Sequence, residues 1–102
     1  MRLELIKNNV EVPEALSQVI DHKAEKVKER LKRYHPDVAD LEVKLEFNDK
    51  LKTYECVLHL KAFRDVLHAS KSAEDLRESV DKGFDALMRE LEHYRVKINK
   101  SL

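Results

Sequence analysis

Residues 41–62 read LEVKLEFNDKLKTYECVLHLKA, and this stretch decides the fold class of the 102-residue chain. Apolar and charged side chains alternate over residues 41–47, which is the pattern of a strand with one buried and one wet face. Asn48-Asp49-Lys50 is typical of a hairpin turn. The alternation resumes at Tyr54, which predicts a second, antiparallel strand. Its inward face would carry Tyr54, Cys56, Leu58, Leu60 and Ala62.

Two further strands flank this hairpin. Residues 66–70 follow a turn at Phe63-Arg64-Asp65, and that turn would place Leu67 and Ala69 on the inward face. Residues 2–6 alternate as well, with Leu3 and Leu5 facing inward, before a turn at Asn8-Asn9. The sequence therefore predicts a four-stranded sheet with one apolar face.

Two long amphipathic helices account for most of the remaining chain. In the first, Pro13 would be the first helical residue, and His35-Pro36 would stop the helix. In the second, Ser72-Ala73-Glu74-Asp75 matches a capping pattern at the helix start. The apolar side chains recur at spacings of three and four in both segments. They are Leu16, Val19, Ile20, Ala24, Val27, Leu31 and Tyr34, then Leu76, Val80, Phe84, Leu87, Leu91, Tyr94 and Ile98.

One apolar sheet face and two apolar helix stripes have a simple packing solution. We expect an α+β fold, a β-α-β-β-β-α two-layer sandwich in which both helices cover the same face of the four-stranded sheet. Residues 1–102 would form a single domain. A lone cysteine and the lack of an apolar leader favour the cytosol, and no apolar run approaches a membrane span.

Charge is segregated along the chain although the formal net charge is zero. Lys23, Lys26, Arg30 and Arg33 follow spacings of three, four and three, so they form a basic stripe beside the apolar face of the first helix. Lys82, Arg89, His93 and Lys100 lie within a narrow arc of the last helix. These faces are either phosphate-binding surfaces or ordinary solvated helix faces with local ion pairs.

Several short motifs occur in order along the chain. Asn8 to Leu16 reads NNVEVPEAL, His68 begins HAS, and residues 85–91 read DALMREL. With Asp75-Leu76 and Val80-Asp81, they resemble the ribosome hibernation-promoting factor family, also called ribosome-associated inhibitor A or sigma-54 modulation protein. The resemblance covers nearly the whole chain. Because the chain ends at Leu102, it resembles the short members, which lack an appended dimerisation domain.

The resemblance implies binding of the small ribosomal subunit in the channel between head and body, where the family blocks transfer RNA and messenger RNA. Basic side chains on both helices would contact ribosomal RNA. The positions that match are Lys23, Lys26 and Arg33, then Arg89, Arg95 and Lys97. The chain departs from the family at Arg77, where many members have tyrosine, and near Ala86, Glu92 and His93, where lysines are frequent. The missing lysines imply fewer phosphate contacts.

No residue set predicts catalysis or a cofactor. The strand phase places Cys56 in the core, where a thiol is inert. His59 and His68 would lie opposite each other on the open sheet face, either as a metal-sharing or pH-sensitive pair or as two surface histidines. We favour surface histidines and expect no metal site and no enzyme activity.

The open sheet face supports a second hypothesis, a regulatory module that docks a partner or a second copy of itself as a weak homodimer. Its candidate residues are Val57, His59, Phe63, Val66 and His68. The valines and the phenylalanine would provide an apolar patch.

Overall fold

The computed structural model describes residues 2–32, 39–62 and 65–101, with side chains described at 2–32, 40–62 and 65–94. The elements follow the expected order. They are β1 (Arg2–Asn8), α1 (Glu14–Lys32), β2 (Ala39–Asn48), β3 (Thr53–Ala62), β4 (Asp65–Ala73) and α2 (Leu76–Ser101). The β-α-β-β-β-α prediction is confirmed.

The sheet has the strand order β1-β2-β3-β4. β1 and β2 are parallel, because α1 crosses over between them, whereas β2, β3 and β4 form an antiparallel meander. In the last pair, Leu60 lies opposite Leu67 and His59 lies opposite His68. The register expected from a turn near residue 64 is therefore confirmed. Phe63 and Arg64 themselves lie outside the described residues.

Both helices cover one face of this sheet. α1 packs against β2 and α2, and α2 packs against β3 and β4. The apolar stripes of the helices and the inward strand residues form one buried cluster. It includes Leu16, Ile20, Val27 and Leu31 of α1, Leu41, Val43, Leu45, Leu58 and Leu60 of the sheet, and Val80, Phe84, Leu87 and Leu91 of α2. In the described part of the chain, neither helix is long and apolar enough to cross a membrane.

Asparagines shape the two turns at one end of the sheet. The side-chain oxygen of Asn48 accepts hydrogen bonds from the backbone amides of Lys50 and Leu51, at 3.0 and 3.1 Å. Asn9 has a φ of 55°, in the left-handed region that asparagine tolerates better than most residues. Its side-chain amide donates to Asp49 at 3.3 Å, which links the β1–α1 loop to the β2–β3 hairpin.

The starts of both helices differ from the expected positions. Ser72 does not cap α2, because β4 continues to Ala73, which pairs with Tyr54 and is buried. Asp75 is the cap instead: its carboxylate accepts from the amide of Glu78 at 3.2 Å, and its carbonyl accepts from Ser79. Pro13 precedes the first residue of α1, and its carbonyl accepts from Ser17 at 3.0 Å. The expected stop at His35-Pro36 lies outside the described residues.

Candidate nucleic-acid interface

Two residues of the basic stripe of α1, Lys23 and Arg30, lie along the boundary between the two helices and meet carboxylates of α2. The ammonium group of Lys23 lies 3.2 Å from Asp81. Seven residues further along α1, about two helical turns, the guanidinium of Arg30 is bonded to Glu92. We call these four residues the interhelical seam. All four side chains are partly exposed, so each pair contributes at most about 1 kcal/mol to folding.

Asp81 binds a second cation besides Lys23. The Nε of Arg77 lies 3.3 Å from the same Asp81 oxygen, one helical turn earlier on α2. One carboxylate therefore holds together a lysine from α1 and an arginine from α2. Without it, those two cations would repel each other across the gap between the helices.

An open cleft lies beside this cluster, between α1 and the first turns of α2. Its volume is about 370 Å³. We call it the basic cleft. Its lining consists of Ala15, Gln18, Val19, His22, Lys23, Lys26 and Arg77. Three permanent positive charges thus line one concave surface. The single negative charge of the neighbouring Asp81 neutralises only one of them.

The remaining basic residues expected at the interface are placed as follows. Lys82 is exposed on α2 and pairs with Glu78 at 3.0 Å. Lys26 and Arg89 are exposed, and neither forms an ion pair with any described residue. Arg33 lies outside the described residues. Arg95, Lys97 and Lys100 lie within α2, but their side chains are outside the described part. Their contact with RNA stays a prediction.

The sequence marks Arg77 as a departure from the family but does not predict it as a binding residue. Its spacing of four from Asp81 indicates a local ion pair, but nothing in the chain shows that Lys23 and Lys26 lie next to it. That proximity depends on how α1 sits against α2. The same holds for Glu92, whose proximity to Arg30 spans 62 positions of sequence.

The open face of the sheet carries the histidine pair. The ring centroids of His59 and His68 are 4.6 Å apart, and Glu42 is the neighbour of His59 on β2. Val66 is 56% exposed, whereas Val57 is only partly so. Phe63 lies outside the described residues. Among the described residues, no three side chains of the metal-ligating types come together at a metal site.

Cys56 is fully buried under α2, as its strand phase predicted. Burial, with a smaller contribution from the nearby Glu55 carboxylate, raises the pKa of its thiol to about 12. A thiol in this environment is protonated at neutral pH, so it is unsuited to act as a nucleophile or a metal ligand.

The chain is similar to known proteins over almost its whole length. It is 28% identical over 100 residues to the "Ribosome hibernation promoting factor" of Escherichia coli K12. The aligned region covers 98% of this chain and 99% of that protein. The protein of the same name from Shigella flexneri matches equally well.

Solved structures share its fold. The N-terminal domain of Protein Y from Thermus thermophilus superposes with a TM-score of 0.75, at 19% identity, over 92% of this chain and 99% of that one. A ribosomal subunit interface protein from Coxiella burnetii gives a TM-score of 0.74 at 17% identity, over 94% and 99% of the two chains. The family described as "Sigma 54 modulation protein / S30EA ribosomal protein" matches residues 3–99. The chain belongs to this family of ribosome hibernation factors.

Proposed function

We propose that this chain is a non-enzymatic hibernation factor that binds the small ribosomal subunit in the channel between its head and body. There it would occupy the positions of transfer RNA and messenger RNA and inhibit translation in the cytoplasm of starved or stationary cells. The family match over residues 3–99 is the observation that carries this proposal. The relatives at 28% identity take their name from ribosome hibernation.

The helix layer supplies the contacts to ribosomal RNA in this proposal. Lys26 and Arg89 are exposed and free of ion pairs with described residues, so among the proposed contact residues they are the most readily available to phosphates. Lys23, Arg30 and Lys82 are already paired with carboxylates of α2, and each must share its charge with a phosphate. Arg33, Arg95, Lys97 and Lys100 complete the proposed set.

Phosphate contacts give such an interface a recognisable salt dependence. Each neutralised phosphate releases condensed counterions, so affinity falls steeply as salt rises. The described residues present no cluster of exposed aromatic rings on the helix layer for stacking unpaired bases. Contacts to the phosphates and to the shape of the RNA would therefore dominate recognition.

Charge-removing substitutions test this mechanism. The variant Lys23→Gln/Lys26→Gln/Arg89→Gln should sediment with purified small subunits at least about tenfold more weakly, because several phosphate contacts are lost. Glutamine avoids placing a new carboxylate against Asp81. The matched control Lys50→Gln/Lys52→Gln/Lys61→Gln removes three charges from the hairpin and the open sheet face and should bind like the unmodified protein. Equal weakening of both variants would contradict the proposal.

The alternative is a regulatory module that forms a homodimer through the open sheet face. The exposed Val66 beside the histidine pair favours it. Light scattering would then show a salt-insensitive dimer that Val66→Glu dissociates, and the protein would not sediment with ribosomes.

A further inference from the structure

Arg77 occupies a position that is unfavourable for a cation. It is the second residue of α2, where the helix macrodipole favours negative side chains such as Glu78. Its side chain is 57% exposed, so core packing does not account for it. Its one recorded partner among the described residues is Asp81. Apart from its ion pair with Asp81, neither core packing nor the helix dipole accounts for an arginine here.

The bond to Asp81 uses only one of the donors of that guanidinium. Only Nε of Arg77 bonds to the Asp81 oxygen, at 3.3 Å. The two terminal nitrogens therefore remain as donors for a second anion, and a guanidinium fork matches two oxygens of one phosphate. The ammonium group of Lys23 reaches the same Asp81 oxygen from α1, at 3.2 Å.

The rest of the basic cleft suits an anion as well. Lys26 and His22 add an ammonium group and an imidazole from α1, and Gln18 adds an amide donor. The other proposed RNA-binding cations whose side chains are described do not line this cleft. Arg30 is paired with Glu92 and Lys82 with Glu78, whereas Arg89 lies apart on α2.

We infer that the basic cleft binds one backbone phosphate of RNA between α1 and α2. Arg77 is a binding residue for that phosphate, and Asp81 positions the guanidinium of Arg77. This inference rests on the proposed function and adds a contact from Arg77, a position where many family members have tyrosine. RNA is favoured over a free phosphate ion because the cleft is open and lies on the same edge of α1 as Arg30. A continuous strand of phosphates could pass from one to the other.

The test compares Arg77→Gln with Arg2→Gln, which makes the same chemical change on the open sheet face. Sedimentation with purified small subunits is measured between low and moderate salt. Arg77→Gln should bind about three- to tenfold more weakly and lower the slope of log affinity against log salt by about 1. Arg2→Gln should change neither quantity. Both side chains are exposed, so both variants should keep the thermal midpoint of the unmodified protein.

The outcomes separate this inference from the proposed function. If the unmodified protein fails to sediment with small subunits, the proposed function fails. If it sediments and Arg77→Gln has the same slope and affinity, the inference alone is wrong. A second arm titrates inorganic phosphate while NMR follows the Arg77 Nε–H resonance. The shift of this resonance could saturate with inorganic phosphate while Arg77→Gln leaves ribosome binding unchanged. That result would show a free-phosphate site and overturn the assignment to RNA.

Discussion

Gly83 lies where α2 packs tightly against β3. A β-carbon at this position would lie 2.9 Å from the sulfur of Cys56 and 3.1 Å from a methyl carbon of Leu58. Real side chains do not come so close, so the only glycine in the sequence sets the distance between this helix and the sheet. The same contact keeps Cys56 out of water.

Gly83→Ala is therefore expected to destabilise the protein. Overpacking a core typically costs about 1–3 kcal/mol. Alanine gains about 1 kcal/mol over glycine inside a helix, which offsets part of that cost. The free energy of unfolding measured in urea should fall by about 1 kcal/mol as the balance of these two effects.

The control for this prediction is the Cys56→Ala background, which removes the closest atom. The cost of Gly83→Ala should be smaller there, because the remaining contacts are with Leu58 and the β-carbon of Cys56. A Gly83→Ala protein more stable than the original would mean that α2 can move away from the sheet without loss.

At the scale of elements, the seam between α1 and α2 limits how much positive charge the helices present. Glu92 lies beside Arg30 and would repel a phosphate that approached the same guanidinium. Glu92→Gln should therefore strengthen binding to small subunits about two- to fivefold at low salt and less at high salt. Folding stability should change by less than about 1 kcal/mol, because the pair is partly exposed.

Glu90→Gln is the matched control for this second prediction. It removes the same charge from α2, but Glu90 is exposed and lies by a groove lined by Asp65, His93 and Tyr94. Sedimentation of both variants separates a local effect from one of net charge. A Glu92→Gln protein that gains no more affinity than Glu90→Gln would show that the pairing with Arg30 does not restrain RNA binding.

The helices and strands can be predicted from local sequence pattern. The contacts between α1 and α2 that form the candidate site cannot. The alternation in β2 and β3 depends on residues close in sequence, as does the helical spacing of apolar residues. The same is true of His59 and His68, which lie opposite each other across a short turn. The sequence predicts the wrong cap for α2 because Ser72 suits a cap locally, whereas pairing of Ala73 with Tyr54 extends β4 past it. Contacts such as Lys23–Asp81 join distant parts of the chain, so the basic cleft emerges only from the packed helices.

At the scale of the whole molecule, a net charge of zero is compatible with RNA binding because the two layers differ in charge. The sequences of α1 and α2 contain eleven lysines and arginines against nine aspartates and glutamates. The open sheet face carries five carboxylates against three permanent cations in its described residues. The carboxylates are Glu4, Asp40, Glu42, Glu46 and Glu55, and the cations are Arg2, Lys44 and Lys61. This excess of acid lies on the face opposite the helices. The helix layer would therefore face the RNA while the open sheet face points away from it.

The salt dependence of binding to purified small ribosomal subunits tests the central claim most directly. With four to six phosphates contacted by the helix layer, log affinity should fall linearly with log salt, with a slope of roughly −3 to −5. Binding should be tight at low salt and largely lost at several-fold higher salt. Binding that is independent of salt, or no binding at low salt, would contradict the account of a hibernation factor held by phosphate contacts.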